Sequence, residues 1–568
     1  MKLLPASLFS LVGILCLSSA LAATAPASKS GIISSTPAII PAPQHKDIKL
    51  SQPGFRLEKQ VPVHFAGNSK EDKELMDSFL RGWKDAGYAV KSFDSAKNAI
   101  SLSSSADTAK LERLSPREAA KYKESYDLTV TPEGIQVQAA GPAGAYYAAL
   151  TLAQAAVKDD KGALAIPTMT LQDAPRFYWR GLMVDSGRNA RTTEEIKKII
   201  DLMARYKMNT LHWHLTDDQG WRVEIKKYPR LTTVGAERAE TPVLGNRNKG
   251  DGKPYSAFYT QDQIRDVVKY AKDRHITVVP EIEVPGHAAA AITAYPELGN
   301  KDIPNYKPAV VTQWGVFPYI FSPSETTFSF LDDVLTEVAD LFPDSPYIHM
   351  GGDEAPKDQW DISPFAKEVM KKNNLKNSHE LQSYFIRRAE EIVNKKGKRL
   401  IGWDEIQEGG LSKTATMMVW RDWKWAKHAL DNGNDIIMTP TSHCYLDYGS
   451  GPNPGGPAFD CIGGNLPMEK VYSLDPMPTG ITEEQQKQVL GVQGNCWSEY
   501  LHTMGKWEYQ IFPKAIALAE VAWSQPENKN LDDFKTRLEK EKSFLDKKKV
   551  NYRKDDGTPA QPSAKLTR

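Results

Sequence analysis

Cysteine is scarce, with four residues in 568, and one of them, Cys16, lies inside an N-terminal apolar stretch. The chain is therefore neither a disulfide-framework domain nor a carrier of the paired-cysteine clusters of structural zinc modules. A bridge between Cys444 and Cys461 across their Gly/Pro-rich loop, leaving Cys496 buried and free, is one arrangement open in an oxidising compartment. Long apolar runs are missing as well. Beyond the N-terminus nothing approaches the roughly 18 uncharged apolar residues of a membrane span. Net charge is also lacking: 72 basic residues face 71 acidic ones, and no dense basic stripe occurs before the extreme C-terminus. That balance argues against a nucleic-acid or anionic-membrane partner and leaves a neutral or small ligand. Oligomeric state cannot be read from such features.

What the chain does have is tryptophan, thirteen in all, several of them beside acidic residues: Trp213, Trp403, Trp420 and Trp497. Most tryptophans are core, but aromatic faces also stack on sugar rings. The N-terminus carries Lys2, an apolar run over residues 8–17, and small residues up to Ala22. This is the pattern of a secretory signal at 1–22, cleaved near Ala22, and implies an exported periplasmic or secreted protein. Residues 23–43, mostly Ala, Ser, Thr and Pro, read as a linker with too little apolar surface to order itself.

From 44 to 174, short β patterns (61–65, 100–103, 126–130, 134–139) alternate with helical ones (70–86, 144–156), an α+β arrangement without a cluster of chemical residues. From 175 to 530 the rhythm becomes strand then helix. Eight strands are expected at 181–185, 210–215, 277–281, 347–350, 399–403, 416–419, 435–438 and 489–494. Helical periodicity falls at 193–206, 260–274, 327–342, 379–396, 424–432 and 509–522. Eight such units over about 350 residues predict a (β/α)8 TIM barrel with insertions, which gathers its chemistry at the C-terminal ends of its strands. Residues 531–568 are expected to form a charged helix and a fraying polar tail.

The strand ends are coherent. The first is entered by Arg180 and exits through Asp185 and Arg188. The second exits through His212-Trp213-His214 to Asp217-Asp218, and the third through Glu281 and Glu283 to Pro285-Gly286-His287. The fourth ends in His349-Met350-Gly351-Gly352-Asp353-Glu354, where paired glycines permit a sharp turn that presents two acids to one cleft. Trp403-Asp404-Glu405, Trp420-Arg421, Tyr445-Leu446-Asp447 and Trp497-Ser498-Glu499 complete the set. Acids and indoles dominate, which suits a sugar site better than other ligand classes.

These motifs, in this order, resemble the glycoside hydrolase family 20 β-N-acetylhexosaminidases over roughly residues 55–524, including Gly144-Ala145-Tyr146-Tyr147 in the first domain. The resemblance implies an exo-acting, retaining hydrolysis of terminal β-linked N-acetylhexosamine in which the substrate's own 2-acetamido oxygen is the nucleophile, an exception to the two-carboxylate scheme. It implies a protonated Glu354 as general acid, an ionised Asp353 orienting the acetamide, and Tyr445 donating to the acetamido oxygen. Arg180, Asp447 and Glu499 would bind ring hydroxyls, Trp403, Trp420 and Trp497 would wall the pocket, and Asp217 and His287 would orient the acid. His212 and His214 read as structural, and no cofactor or metal is expected.

Two other readings remain. A metal-dependent barrel hydrolase would use His212-x-His214 with His287 and His349 as ligands. Against it, such a motif typically belongs to the first barrel strand, whereas a complete strand and helix precede it here. A non-catalytic sugar-binding protein would keep the same pocket, but every proposed catalytic position retains a usable side chain.

Overall fold

The structure is a computed structural model that describes residues 31–567 except 59, 66, 68, 93–98, 452, 454 and 563. The signal expected at 1–22 lies outside the described residues. Eight parallel strands close into a barrel in chain order. They are β1 (Trp179–Asp185), β2 (Thr210–His214), β3 (Thr277–Val284) and β4 (Tyr347–Gly351), followed by β5 (Arg399–Trp403), β6 (Thr416–Val419), β7 (Ile436–Met438) and β8 (Val489–Gly494). β8 pairs back onto β1 with Gly491 opposite Trp179. Six of the eight strands are buried along their whole length, and β3 and β5 are buried beyond their first residues, as expected where helices cover the outside and side chains fill the inside.

Local sequence starts the outer helices. Thr192 with Glu195 and Thr260 with Gln263 form reciprocal capping boxes at Thr193–Arg205 and Gln261–Lys272, so orphan amides are satisfied where the chain leaves each strand. Each helix then buries an aliphatic stripe, Ile196, Ile199 and Ile200 in the first, Ile264, Val267 and Val268 in the second. The final helical stretch differs from expectation. It is two helices, Met504–Ile511 and Lys514–Trp523, because Pro513 lacks the amide that a continuous helix needs.

The first domain is a seven-stranded mixed sheet with Tyr126–Thr131 and Gly134–Ala139 near its centre. The helices Lys70–Asp85 and Pro142–Ala155 pack against each other, with Gly82 allowing close approach to the Tyr146 carbonyl. This domain is bolted to the N-terminal end of the barrel by buried charge. Arg180 Nη2 lies 2.7 Å from Glu124 Oε2, and Lys207 Nζ lies 2.8 Å from Asp173 Oδ2 with both side chains fully buried.

Both ends of the described chain are more ordered than their composition suggests. Within the expected linker, Ile39 and Ile40 are buried, and the amides of Ile40 and Ala42 donate to Gln154 and Glu520. Side-chain acceptors from two domains therefore replace the apolar surface that the segment lacks. The C-terminal helix Leu531–Lys547 docks through Phe534, Leu538 and Leu545. The tail beyond it folds back, its Gly557 and Lys565 carbonyls accepting from Tyr509 and Thr503. Cys444, Cys461 and Cys496 are all free thiols, so the Cys444–Cys461 bridge does not form. Among the described residues no helix is long and apolar enough to cross a membrane.

Removing one partner of a buried ion pair leaves the other charge uncompensated. Glu124→Ala, which strands the 1 % exposed Arg180 side chain, is expected to cost about 3–5 kcal/mol of stability. Chemical denaturation reads this as a lowered midpoint with an unchanged slope.

Candidate active site

The turn after β4 requires its glycines. Gly351 (φ +62°) and Gly352 (φ +99°) are left-handed. A Cβ on Gly351 would fall 1.7 Å from Glu283 Oε2, and one on Gly352 would meet Ile406 at 2.5 Å. Asp353 and Glu354 follow, Asp353 buried with its Oδ1 unpartnered, Glu354 partly open to solvent. Glu354 itself has φ +47°, as does His287 at the end of the turn after β3. Two non-glycine residues in this region at one site are local strain of the kind that functional centres hold.

His287 joins the acids of two strands. Its Nδ1 is 2.9 Å from Asp218 Oδ2 and 3.4 Å from Asp217 Oδ1. Its Nε2 is 3.5 Å from Glu354 Oε2 and 3.7 Å from Asp353 Oδ2. Burial opposes the imidazolium, but the neighbouring Asp217, the hydrogen bond to Asp218 and the nearby Glu354 outweigh it and hold His287 well above its ordinary value.

The protonation order of the acid pair is the reverse of that expected. Burial pushes Asp353 up to about 6, with His287 pulling against it and the charges of Glu354 and Glu281 adding to it. The contact with His287, whose Nε2 is 3.5 Å away, holds Glu354 below its ordinary value, against its partial burial. Burial of Asp353 and the His287 contact at Glu354, neither of which a motif encodes, decide this order in the ligand-free protein.

Arg180 is not in the site. It enters β1 at the opposite end of the barrel, where Glu124, the Phe177 and Lys207 carbonyls and the Tyr147 hydroxyl occupy its guanidinium. The arginine at the strand's exit is Arg188. Its Nη2 is 3.0 Å from Asp217 and its Nη1 3.3 Å from Asp185. Its Nε lies 3.7 Å from Glu499, and its guanidinium sits 4.9 Å above the Trp497 ring. The signal was available, since chemistry in a barrel belongs after a strand rather than before it. Asp218 was likewise passed over for its neighbour Asp217, although it makes the shorter contact to His287.

The remaining predicted residues do converge. Trp403 and Trp497 lie 5.6 Å apart, and Trp420 stacks on Tyr445 at 6.0 Å. The indole N–H of Trp403 donates to Glu281 and that of Trp420 to Glu405, each at 2.9 Å, which fixes the ring planes. Tyr445 is buried, with Asp447, Asp353 and Glu405 as its charged neighbours. Both carboxylate oxygens of buried Asp447 and one of Glu499 lack a hydrogen-bond partner. Burial, reinforced at Asp447 by Glu499, raises both groups. Buried polar groups are normally satisfied, and these orphans lie with those of Asp353 and Glu283 at the C-terminal end of the barrel.

His212 and His214 share the inner face of β2 and both address Glu281, His212 through Nε2 at 3.0 Å and His214 through Nδ1. Among the described residues four groups bring donor atoms within 4.8 Å of one another: His212, Glu281 and His349; His214, Glu281 and Glu283; Asp217, Asp218 and His287; and His287, Asp353 and Glu354. In the first, Gln493 already donates to His212 Nδ1 and Trp403 to Glu281, so those atoms are occupied as hydrogen-bond acceptors.

Residues 177–526 match the family model of the glycosyl hydrolase family 20 catalytic domain, and residues 36–174 match that of domain 2 of the same family. A beta-hexosaminidase of Porphyromonas gingivalis is 44 % identical over 439 residues, 76 % of this chain and 54 % of the relative. A beta-hexosaminidase of Vibrio furnissii is 38 % identical over 401 residues, 70 % of this chain and 64 % of the relative. The chain thus spans between half and two thirds of the length of these relatives. Among solved structures, the exo beta-N-acetylglucosaminidase from Vibrio harveyi in complex with N-acetylglucosamine superposes with a TM-score of 0.78 at 31 % identity, covering 92 % of this chain and 79 % of that one. Fold, acid pair and family models agree: the chain belongs to glycosyl hydrolase family 20.

Proposed function

We propose that this protein is an exo-acting, retaining β-N-acetylhexosaminidase that removes terminal β-linked N-acetylhexosamine from oligosaccharides or glycoconjugates. The observation that carries the reading is Asp353, a buried carboxylate with an unpartnered oxygen, set beside Glu354 and among the charged neighbours of Tyr445. The names of the relatives and the N-acetylglucosamine bound by the Vibrio harveyi structure support it.

In the proposed reaction the acetamido oxygen bonds to the anomeric carbon as the glycosidic bond breaks, and Glu354 passes a proton to the departing oxygen. The resulting oxazolinium ion carries a positive charge that Asp353 stabilises by accepting the acetamide N–H, while Tyr445 donates to the acetamido oxygen. Water, deprotonated by Glu354, then opens the ring from the face the leaving group vacated, so configuration is retained. Intramolecular attack begins with positional entropy already lost, an advantage of up to ~7–11 kcal/mol in well-oriented cases. Arg188, Asp447 and Glu499 would hold ring hydroxyls, and Trp403, Trp420 and Trp497 would enclose the sugar.

The inverted protonation order fits this scheme through substrate binding. An acetamide N–H bonded to Asp353 favours its ionised form, so the one proton held by the pair moves to Glu354. Above about pH 6 the free protein has lost that proton from Asp353, and His287, which holds its own tightly, does not replace it. The pH profile of kcat/KM is therefore expected to fall as pH rises through about 6. A profile flat to pH values well above this removes the shared proton from the scheme.

The substrate class is tested by comparing aryl β-glycosides of N-acetylglucosamine, N-acetylgalactosamine and glucose. The glucoside, which has no acetamide, is expected to be nearly inert, and turnover comparable with the acetamido sugars contradicts a substrate-borne nucleophile. Glu354→Gln is expected to lower turnover of natural glycosides by about 10²–10⁴-fold, the usual range for a general acid. It should spare far more of the rate on an aryl glycoside whose leaving group departs unprotonated. Equal losses on both substrates would remove Glu354 from the acid role.

A further inference from the structure

Glu281 lies on β3 inside the barrel, fully buried, and no step of the proposed reaction uses it. Its two oxygens nevertheless receive four contacts from three other strands. Trp403 at the end of β5 donates its indole N–H at 2.9 Å. His349 of β4 places Nδ1 2.8 Å away, four residues before Asp353. From β2 come His212 Nε2 at 3.0 Å and His214 Nδ1.

The contact to His214 extends outward. The other ring nitrogen of His214 is 3.0 Å from Asp217 Oδ2. The same Asp217 oxygen takes Arg188 at 3.0 Å, while its Oδ1 faces His287 at 3.4 Å. An imidazole whose two nitrogens both face carboxylates must carry two protons to satisfy both. The charged groups around His214 are Glu281 and Glu283 on β3, Asp217 beyond β2 and Asp185 on β1, with His212 beside it. Burial works against the imidazolium, but Glu281 and Asp217 outweigh it and hold the ring up at about 10. Glu281, surrounded by three imidazoles, stays well below the ordinary carboxylate range despite its burial.

We infer that Glu281 is a positioning residue: one buried carboxylate sets the pocket wall at Trp403, the strand leading to Asp353 and Glu354, and, through His214, the Asp217 that holds Arg188 and His287. The inference rests on the glycosidase reading above, which wild-type turnover of an aryl N-acetyl-β-glucosaminide tests by itself. The role of Glu281 is read only from variants relative to that rate.

Glu281→Gln keeps the shape and one acceptor but removes the charge. It is expected to lower kcat about 10²-fold, as small misplacements of reacting groups do, with KM changed by no more than about threefold. It should also move the basic limb of the kcat/KM profile to lower pH and steepen it. The substitution removes a negative charge that raises Asp353 and one of the two carboxylates that hold the second proton on His214, so His214 loses that proton at lower pH than in the wild type. His214→Asn is expected to lose kcat without that displacement of the limb. A Glu281→Gln enzyme with kcat within about threefold of wild type, or with an unmoved limb, overturns the proposal. A third measurement needs no folded Glu281→Gln protein. Imidazole ¹⁵N spectra of the wild type near pH 8, with His214 assigned through His214→Asn or, where that variant does not fold, through site-specific labelling, should show a doubly protonated His214. A neutral ring overturns the proposal equally.

Discussion

A charge taken out of water must find a partner, and this constraint shapes both ends of the barrel. At the N-terminal end it is met within the chain, by Arg180 with Glu124 and Lys207 with Asp173, and the pairs weld the small domain to the barrel. At the C-terminal end it is met only in part. Glu281, Asp217 and Arg188 are paired, whereas Asp353, Asp447 and Glu499 keep buried oxygens that no protein group satisfies. The first arrangement is structure, and under the proposed function the second is a binding site. The difference between them is where the missing partner comes from.

The same division explains how much could be read from the amino acids. All eight barrel strands were legible because buried parallel strands are short apolar runs separated by helical periodicity, and Arg399–Trp403, Thr416–Val419 and Val489–Gly494 fall where the pattern puts them. The acid pair, Tyr445, Asp447, Trp497 and Glu499 were legible because strand order dictates which ends meet. Arg180 was misplaced because proximity to a strand was read without its direction, and Arg188, three residues beyond Asp185, occupies the exit that matters.

Other features lie in contacts between distant segments, where local composition is silent. Residues 39–42 look like linker but borrow acceptors from Gln154 and Glu520. The tail looks frayed but lends its carbonyls to Tyr509 and Thr503. The protonation order of Asp353 and Glu354 depends on His287, some 66 residues earlier in the chain, which reaches both acids across the mouth of the barrel. Pattern reading names such groups but does not weigh their charges against one another.

The vacancy at Gly351 has a consequence for how such a sequence can drift. The volume that a side chain there would fill is taken by the carboxyl of Glu283, so the two positions share one space between strands β3 and β4. A substitution at 351 is blocked while Glu283 stands, and truncating Glu283 alone opens a void beside the acid pair. Glycine is held at 351 twice over, by the space Glu283 fills and by a left-handed backbone (φ +62°) that disfavours a side chain even where room is made.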